Sequence, residues 1–389
     1  MRACTVMYVI GGLNAGGAER QLLTLVQGLD KTLWNPVVCS MRSGTLFEEF
    51  TAAAPVHLLG KSRVVDLRAL ARLVGLVRHY RPAVIHTYMS TGNTWGRLAA
   101  LIAFAVRPAA LPVIVASERS IDTWKSSLHR GIDRALLGAT DAMSCNSIAV
   151  ARYLTECDRV PRARVAMIPN GIDLRRVQRL LGCPAEERVA RRAALGFRPD
   201  DFVIGHIGRS SAVKGLDLLV DVFDRVRREV PSVRLLRLAQ PPLPDEVAPA
   251  QAFVRQLQER GLTGAVVMHP YTTEITAVLV TLDALVQTSL SEGLPNVVME
   301  AMAMEVPVVV TAAGGTVELV RHRQTGWIVP VGDREGLIAG LRYVRSHPEQ
   351  AGLWARAARQ VIEGQYTHEA MVARTVALYG RLLVRRGGG

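Results

Sequence analysis

A chain of 389 residues is too long for one typical domain, and about 150 residues per domain suggests two. Its residues are 49% hydrophobic, which provides a core in each half and excludes a disordered chain, the tail 385–389 apart. Lys and Arg outnumber Asp and Glu by 47 to 34, a formal charge of +13 that points to an anionic partner or to solvated faces that are simply basic; with 5% aromatic residues and no nucleic-acid module signature, anionic membrane lipid is favoured over nucleic acid.

The N-terminal run Met-Arg-Ala-Cys-Thr-Val-Met-Tyr-Val-Ile meets Gly11 and Gly12 too soon for a signal peptide, so the chain is expected to stay in the cytoplasm. Cys4, Cys39, Cys145, Cys157 and Cys183 are scattered with no Cys-x-x-Cys pair, which reads as reduced core thiols. Apolar runs predict strands over 5–10, 36–40, 83–87 and 112–116, then 165–168, 202–207, 234–238, 266–268, 284–288 and 307–311, with helical stretches between them. Such alternation implies parallel sheets. The stretch 98–116 is the most apolar, but Arg107, Pro108 and Pro112 interrupt it, giving helix, turn and buried strand in place of a membrane span. Basic residues gather at Lys61, Arg63, Arg68, Arg72, Arg78 and Arg81, and again at Lys125, Arg130 and Arg134.

Each half opens with strand, glycine turn and amphipathic helix, so the fold class is α/β with two Rossmann-like doubly wound domains facing across a cleft. The first domain is read as 1–180 and the second as 181–365, with a charged helix over 186–192 near the boundary. An amphipathic helix follows over 368–384.

Residues 289–300 say most about chemistry. Glu292 and Glu300 stand eight positions apart, with Gly293 and Pro295 turning the chain between them. Glu292 then lies past a strand's carboxyl end and Glu300 on a helix that Pro295 opens, since a missing N–H costs nothing in a first turn. Backbone N–H groups of Gly293, Leu294, Pro295's neighbour Asn296, and Val297 offer an anion site beside two carboxylates that accept hydroxyls, a combination suited to a nucleotide-sugar. Upstream, Gly208-Arg209-Ser210-Ser211-Ala212-Val213-Lys214-Gly215 sets two cations after a strand, where they would stabilise charge developing on a leaving diphosphate. No Walker-type Gly-x4-Gly-Lys-Ser/Thr occurs. Gly16 and Gly17 stand in a loop between strand and helix where backbone approaches a ligand closely, and their spacing does not make a dinucleotide fingerprint.

The Glu292-to-Glu300 element and the Gly-Arg-x4-Lys-Gly element resemble those of the family-4 retaining glycosyltransferases of GT-B fold, and the likeness runs from Gly11-Gly12 to the last helix. It implies that the last helix, 366–389, crosses back to complete the first, acceptor-side domain. It implies that Arg209, Lys214 and Glu292 serve catalysis, and that Gly16, Gly17, the 293–297 segment and Glu300 join them in holding the donor. His86 and Arg119 are the expected donor-sugar or acceptor contacts, although a lone His at a strand end is as a rule structural, and Arg119 stands where many relatives carry His. Leu236-Arg237-Leu238-Ala239-Gln240 replaces the usual Gly-Asp-Gly-Pro turn, and Tyr271 is the candidate nucleobase contact beside an ordinary surface reading.

The activity implied is transfer of a hexosyl or N-acetylhexosaminyl group, from a UDP-sugar first and a GDP-sugar second, to a saccharide or lipid-linked saccharide of a cell-surface polysaccharide. A catalytically silent partner at the membrane and a nucleic-acid-binding protein suggested by the charge are the competing classes. No cofactor or metal is expected, in keeping with the lack of an Asp-x-Asp motif. The expected setting is cytoplasmic and peripheral on the inner face of the membrane.

Overall fold

The structure is a computed structural model and describes residues 3–106, 111–121 and 125–387. The chain forms two compact units, Met1–Gly171 with His368–Gly389, and Ile172–Thr367.

In the first unit the strands are β1 (Cys4–Ile10), β2 (Trp34–Ser40), β3 (Val56–Leu58), β4 (Val84–Tyr88), β5 (Val113–Glu118), β6 (Ala142–Cys145) and β7 (Val165–Met167). They pair in the order β3-β2-β1-β4-β5-β6-β7, all parallel. The second unit contains β8 (Phe202–Ile207), β9 (Val233–Leu238), β10 (Val266–His269), β11 (Ala284–Gln287), β12 (Val308–Thr311) and β13 (Trp327–Val329), ordered β10-β9-β8-β11-β12-β13 and again all parallel. Both are doubly wound sheets. The strand order reverses between β1 and β4 in one and between β8 and β11 in the other, and ligands of open α/β sheets bind outside the carboxyl ends at such points.

Parallel strands are covered on both faces, which is why they read as unbroken apolar runs. In β8, Val203 and Ile207 enter one buried cluster with Leu285, Val298 and Met302, while Ile204 enters another with Leu219, Phe223 and Val226. The helix Leu216–Glu229 supplies Leu216, Leu219, Val220, Phe223 and Val226 to that second cluster, the spacing of a single apolar stripe. Asp66 caps the helix Leu67–Tyr80 by accepting the Ala69 N–H at 3.1 Å. That helix buries Leu70, Leu73 and Val77 and leaves Arg68, Arg72 and Arg78 exposed.

The C-terminal helix His368–Gly387 belongs to the first unit. Tyr379 is fully buried there and bonds His86 Nδ1 at 2.6 Å; Arg386 pairs with Asp141 at 2.9 Å. Arg385 and Arg386, read from sequence as a loose tail, are therefore helical; Gly388 and Gly389 lie outside the described residues. The predicted turn at Arg107 and Pro108 also lies outside them, between the helix Met89–Ala103 and β5. Cys39 and Cys145 are buried, but Cys4 and Cys157 are exposed and Cys183 is half-buried, so only two of the five fit the reading as core thiols.

Candidate active site

In the second unit the loops after β8, β11 and β12 are tied together. Leu290 N–H donates to the Val213 carbonyl at 2.8 Å, and Thr288 Oγ1 donates to the Lys214 carbonyl at 2.9 Å. Thr311 Oγ1 donates to the Ser289 carbonyl at 2.6 Å, and Gly315 N–H to the Gly293 carbonyl at 2.9 Å. Two glycines permit this approach. Gly215 (φ 61°) and Gly314 (φ 53°) are left-handed, and a Cβ would stand 2.2 Å from the Thr288 carbonyl oxygen and 1.8 Å from that of Glu292, respectively.

Lys214 and Glu292, 78 positions apart, meet in this frame: Nζ donates to Oε1 at 2.6 Å. The same oxygen accepts from Gln287 Nε2 and Ser289 Oγ, each at 2.7 Å, so Glu292 is held from three sides. Oε2 has no hydrogen bond to a described residue. Glu292 and Lys214 are 10% and 19% exposed in their side chains, enough to meet a ligand while the pair stays largely out of water. Pro295 is the N-cap of the helix Asn296–Ala303, one position before its first residue, and its own side chain makes no capping hydrogen bond. Glu300, one turn on, is half-buried.

Arg209 is more open, with its side chain 45% exposed and Nε 3.1 Å from Glu246 Oε1. Beneath it Arg237, 1% exposed, donates from Nη1 to the Gly208 carbonyl at 2.8 Å and from Nη2 to Ser210 Oγ at 3.4 Å. Burial lowers the Arg237 pKa to about 10, against an opposing pull from Glu246, which leaves it cationic at neutral pH. His206 lies beside it in register and is held well below its usual value by burial first, then by Arg237 and Lys214. Tyr271 is partly buried against the apolar cluster of Leu285 and Met302.

Gln287, Ser289, Arg237 and Glu246 were missed in the sequence reading. Gln287 and Arg237 had a signal, Gln287 as the one polar residue of β11 and Arg237 as a charge set between leucines of β9. Glu246 had none.

In the first unit, Gly16 is the residue before the helix Gly17–Gly28, at the carboxyl end of β1. His86 lies within β4, not at its end, and is buried: Nδ1 bonds Tyr379 and Nε2 bonds Ser117 Oγ at 2.7 Å. Both nitrogens are thereby occupied, and burial, followed by the nearby Arg119 charge, holds the ring well below its usual pKa. Arg119 Nη1 donates to Asn170 Oδ1 at 2.6 Å, with the guanidinium 5.5 Å from the Tyr88 ring. Lys125 is not the surface cation its neighbours suggested. It is 3% exposed and paired with Glu118 at 3.2 Å, Asp133 at 3.2 Å and Asp158 at 3.3 Å.

Two doubly wound parallel units with a helix returning from the second to the first define the GT-B class of glycosyltransferase. A family model described as Glycosyltransferase Family 4 matches residues 15–176, and one described as Glycosyl transferases group 1 matches residues 201–346. The chain belongs to these family-4, group 1 glycosyltransferases and is an enzyme of that class.

EpsF of Bacillus subtilis (strain 168), named as a glycosyltransferase, is 26% identical over 323 residues, covering 79% of this chain and 78% of that protein. The D-inositol 3-phosphate glycosyltransferase of Mycobacterium leprae (strain Br4923) is 30% identical over 199 residues, 51% of this chain and 44% of that one. Among solved structures, Anabaena Alr3699/HepE in complex with UDP and glucose superposes with a TM-score of 0.85 at 19% identity, covering 97% of this chain and 100% of that one. Sucrose-phosphate synthase from Thermosynechococcus elongatus gives 0.81 at 18% identity, covering 98% and 100%. At such identities these likenesses show the fold.

Proposed function

We propose that the protein is a retaining glycosyltransferase that moves a hexosyl or N-acetylhexosaminyl group from a UDP-sugar to a saccharide or lipid-linked saccharide in cell-surface polysaccharide synthesis. The observation that carries this reading is the meeting of Lys214 and Glu292 at 2.6 Å beside the strand-order reversal, with Arg209 on the same loop as Lys214. Arg209 and Lys214 neutralise the diphosphate as the bond from the anomeric carbon to its phosphate oxygen breaks. The new bond forms from the acceptor hydroxyl on the same face, and the departing phosphate oxygen takes that hydroxyl's proton. No carboxylate nucleophile and no metal is needed in this route. Glu292 fixes Lys214 through Oε1 and accepts a sugar hydroxyl through Oε2; Glu300 accepts the ribose hydroxyls, and the 293–297 backbone faces the phosphates. Gly16 and Gly17 allow the backbone near the diphosphate.

UDP is favoured over GDP because HepE, similar in fold, was solved with UDP and with UDP-glucose. A thermal-shift panel of UDP, GDP, ADP and dTDP tests the choice. UDP at a hundredfold excess over its dissociation constant should stabilise the protein by about 2.7 kcal/mol. A shift with GDP alone would replace UDP by GDP in this reading.

The acceptor reading rests on the surface of the first unit. Arg63, Arg68, Arg72 and Arg78 are exposed there, and Val64, Val65 and Leu67 are 89%, 69% and 71% exposed among them. No helix among the described residues is long and apolar enough to cross a membrane. Charges flanking apolar side chains suit peripheral docking on the anionic inner leaflet, in the cytoplasm. The protein should pellet with acidic liposomes and not with neutral ones at low salt. It should release as the Debye length falls from about 10 Å at 0.1 M to about 3 Å at 1 M salt. Equal absence from both pellets would remove the membrane, and with it the case for a lipid-linked acceptor.

A further inference from the structure

We propose that Glu246 and Arg237 are positioning residues that preset Arg209 for a diphosphate, an inference that rests on reading Arg209 as a ligand of that group. Arg237 lies in β9 between Leu236 and Leu238, where an aliphatic side chain would complete the apolar run. Its guanidinium instead grips the loop above from below. Nη1 donates to the carbonyls of Gly208 at 2.8 Å and Leu238 at 2.5 Å, and Nη2 to the carbonyl of Arg209 at 3.3 Å and to Ser210 Oγ at 3.4 Å. The Phe253 ring, 6.0 Å away, closes the other side. The backbone that carries Arg209 is thus fixed by a planar fork with several acceptors.

Glu246 fixes the side chain. It ends the short turn Pro244–Glu246, is 1% exposed, and accepts the Leu243 N–H on Oε2 at 3.2 Å. Oε1 is buried with no hydrogen bond of good geometry, and its close partner is Arg209 Nε at 3.1 Å. A buried carboxylate oxygen in that state holds strongly to the cation beside it, because an uncompensated charge out of water is costly. Pairing through Nε leaves Nη1 and Nη2 of a half-exposed guanidinium with no bond among the described residues, in the geometry of a fork that can take two phosphate oxygens. A flexible Arg side chain ordered before the ligand arrives loses less freedom when it binds, an effect of about tenfold in affinity.

A double-mutant cycle read by calorimetric titration with UDP, and with GDP as second probe, separates positioning from plain structure. Glu246→Gln should weaken binding about tenfold in the wild-type background and less than about twofold when Arg209 is already Ala. Arg237→Lys keeps the charge and loses the fork, and should show the same dependence on Arg209. Equal losses in both backgrounds, or no loss in either, would overturn the inference while leaving Arg209 a ligand. If Arg209→Ala alone leaves affinity unchanged, the reading of Arg209 falls first, and a wild-type protein that binds neither nucleotide removes both.

Discussion

Lys214→Ala should lower kcat by about 100- to 1,000-fold, with donor KM changed much less, the size of effect seen when one preorganised charge stabiliser is removed. The ammonium group lies 2.6 Å from Glu292 in a side chain 19% exposed, so water shields it poorly. As the bond to the diphosphate breaks, negative charge grows on the leaving oxygen, and a fixed cation stabilises that state more than the intact donor. An interaction made only there appears as equal losses in kcat and kcat/KM. Removing Lys214 also takes one of three donors from Glu292 Oε1, while Gln287 and Ser289 remain to hold it. The Glu292 carboxylate should therefore stay in place, and the variant's melting temperature should stay close to wild type. Steady-state release of nucleoside diphosphate measures this, and an unchanged kcat would remove Lys214 from the chemistry.

The parallel sheets were legible because strands buried on both faces carry a strong apolar signal; β8 was read to the residue and β9 to within one. β3 and β13 were missed, each having only three residues. β6, Ala-Met-Ser-Cys, was missed because it contains no β-branched or aromatic side chain. Arg209, Lys214, Glu292 and Glu300 stood out as candidates because each pair is local in sequence, with Gly208 and Gly215 flanking the first and Gly293 and Pro295 inside the second to signal turns. Contacts that only tertiary structure makes were not visible. His86, read as a strand-end residue that is as a rule structural but stood as a sugar-contact candidate, has its ring nitrogens taken by Tyr379, 293 positions away, and by Ser117. Lys125 looked like surface charge until Glu118, Asp133 and Asp158 enclosed it. Glu246 lies in a Pro-rich turn whose sequence carries no hint that Arg209 will be its partner.

A hydrogen bond to a charged group is worth about 1.5–3 kcal/mol, which makes Glu300→Gln the most direct probe of a nucleotide site in the second unit. Glu300 lies on the helix Asn296–Ala303, one turn past the segment proposed to face the phosphates, and is half-buried. A carboxylate bonded to ribose hydroxyls serves ground and transition states alike, so its loss should appear in binding and not in turnover. The measurement is a calorimetric titration of UDP into wild type and variant. The expected result is clear binding to wild type and a loss of roughly 10- to 150-fold in Glu300→Gln. Equal affinity in the two proteins would contradict the assignment of Glu300, and absence of binding to wild type by UDP, GDP, ADP and dTDP alike would contradict the nucleotide-sugar site itself.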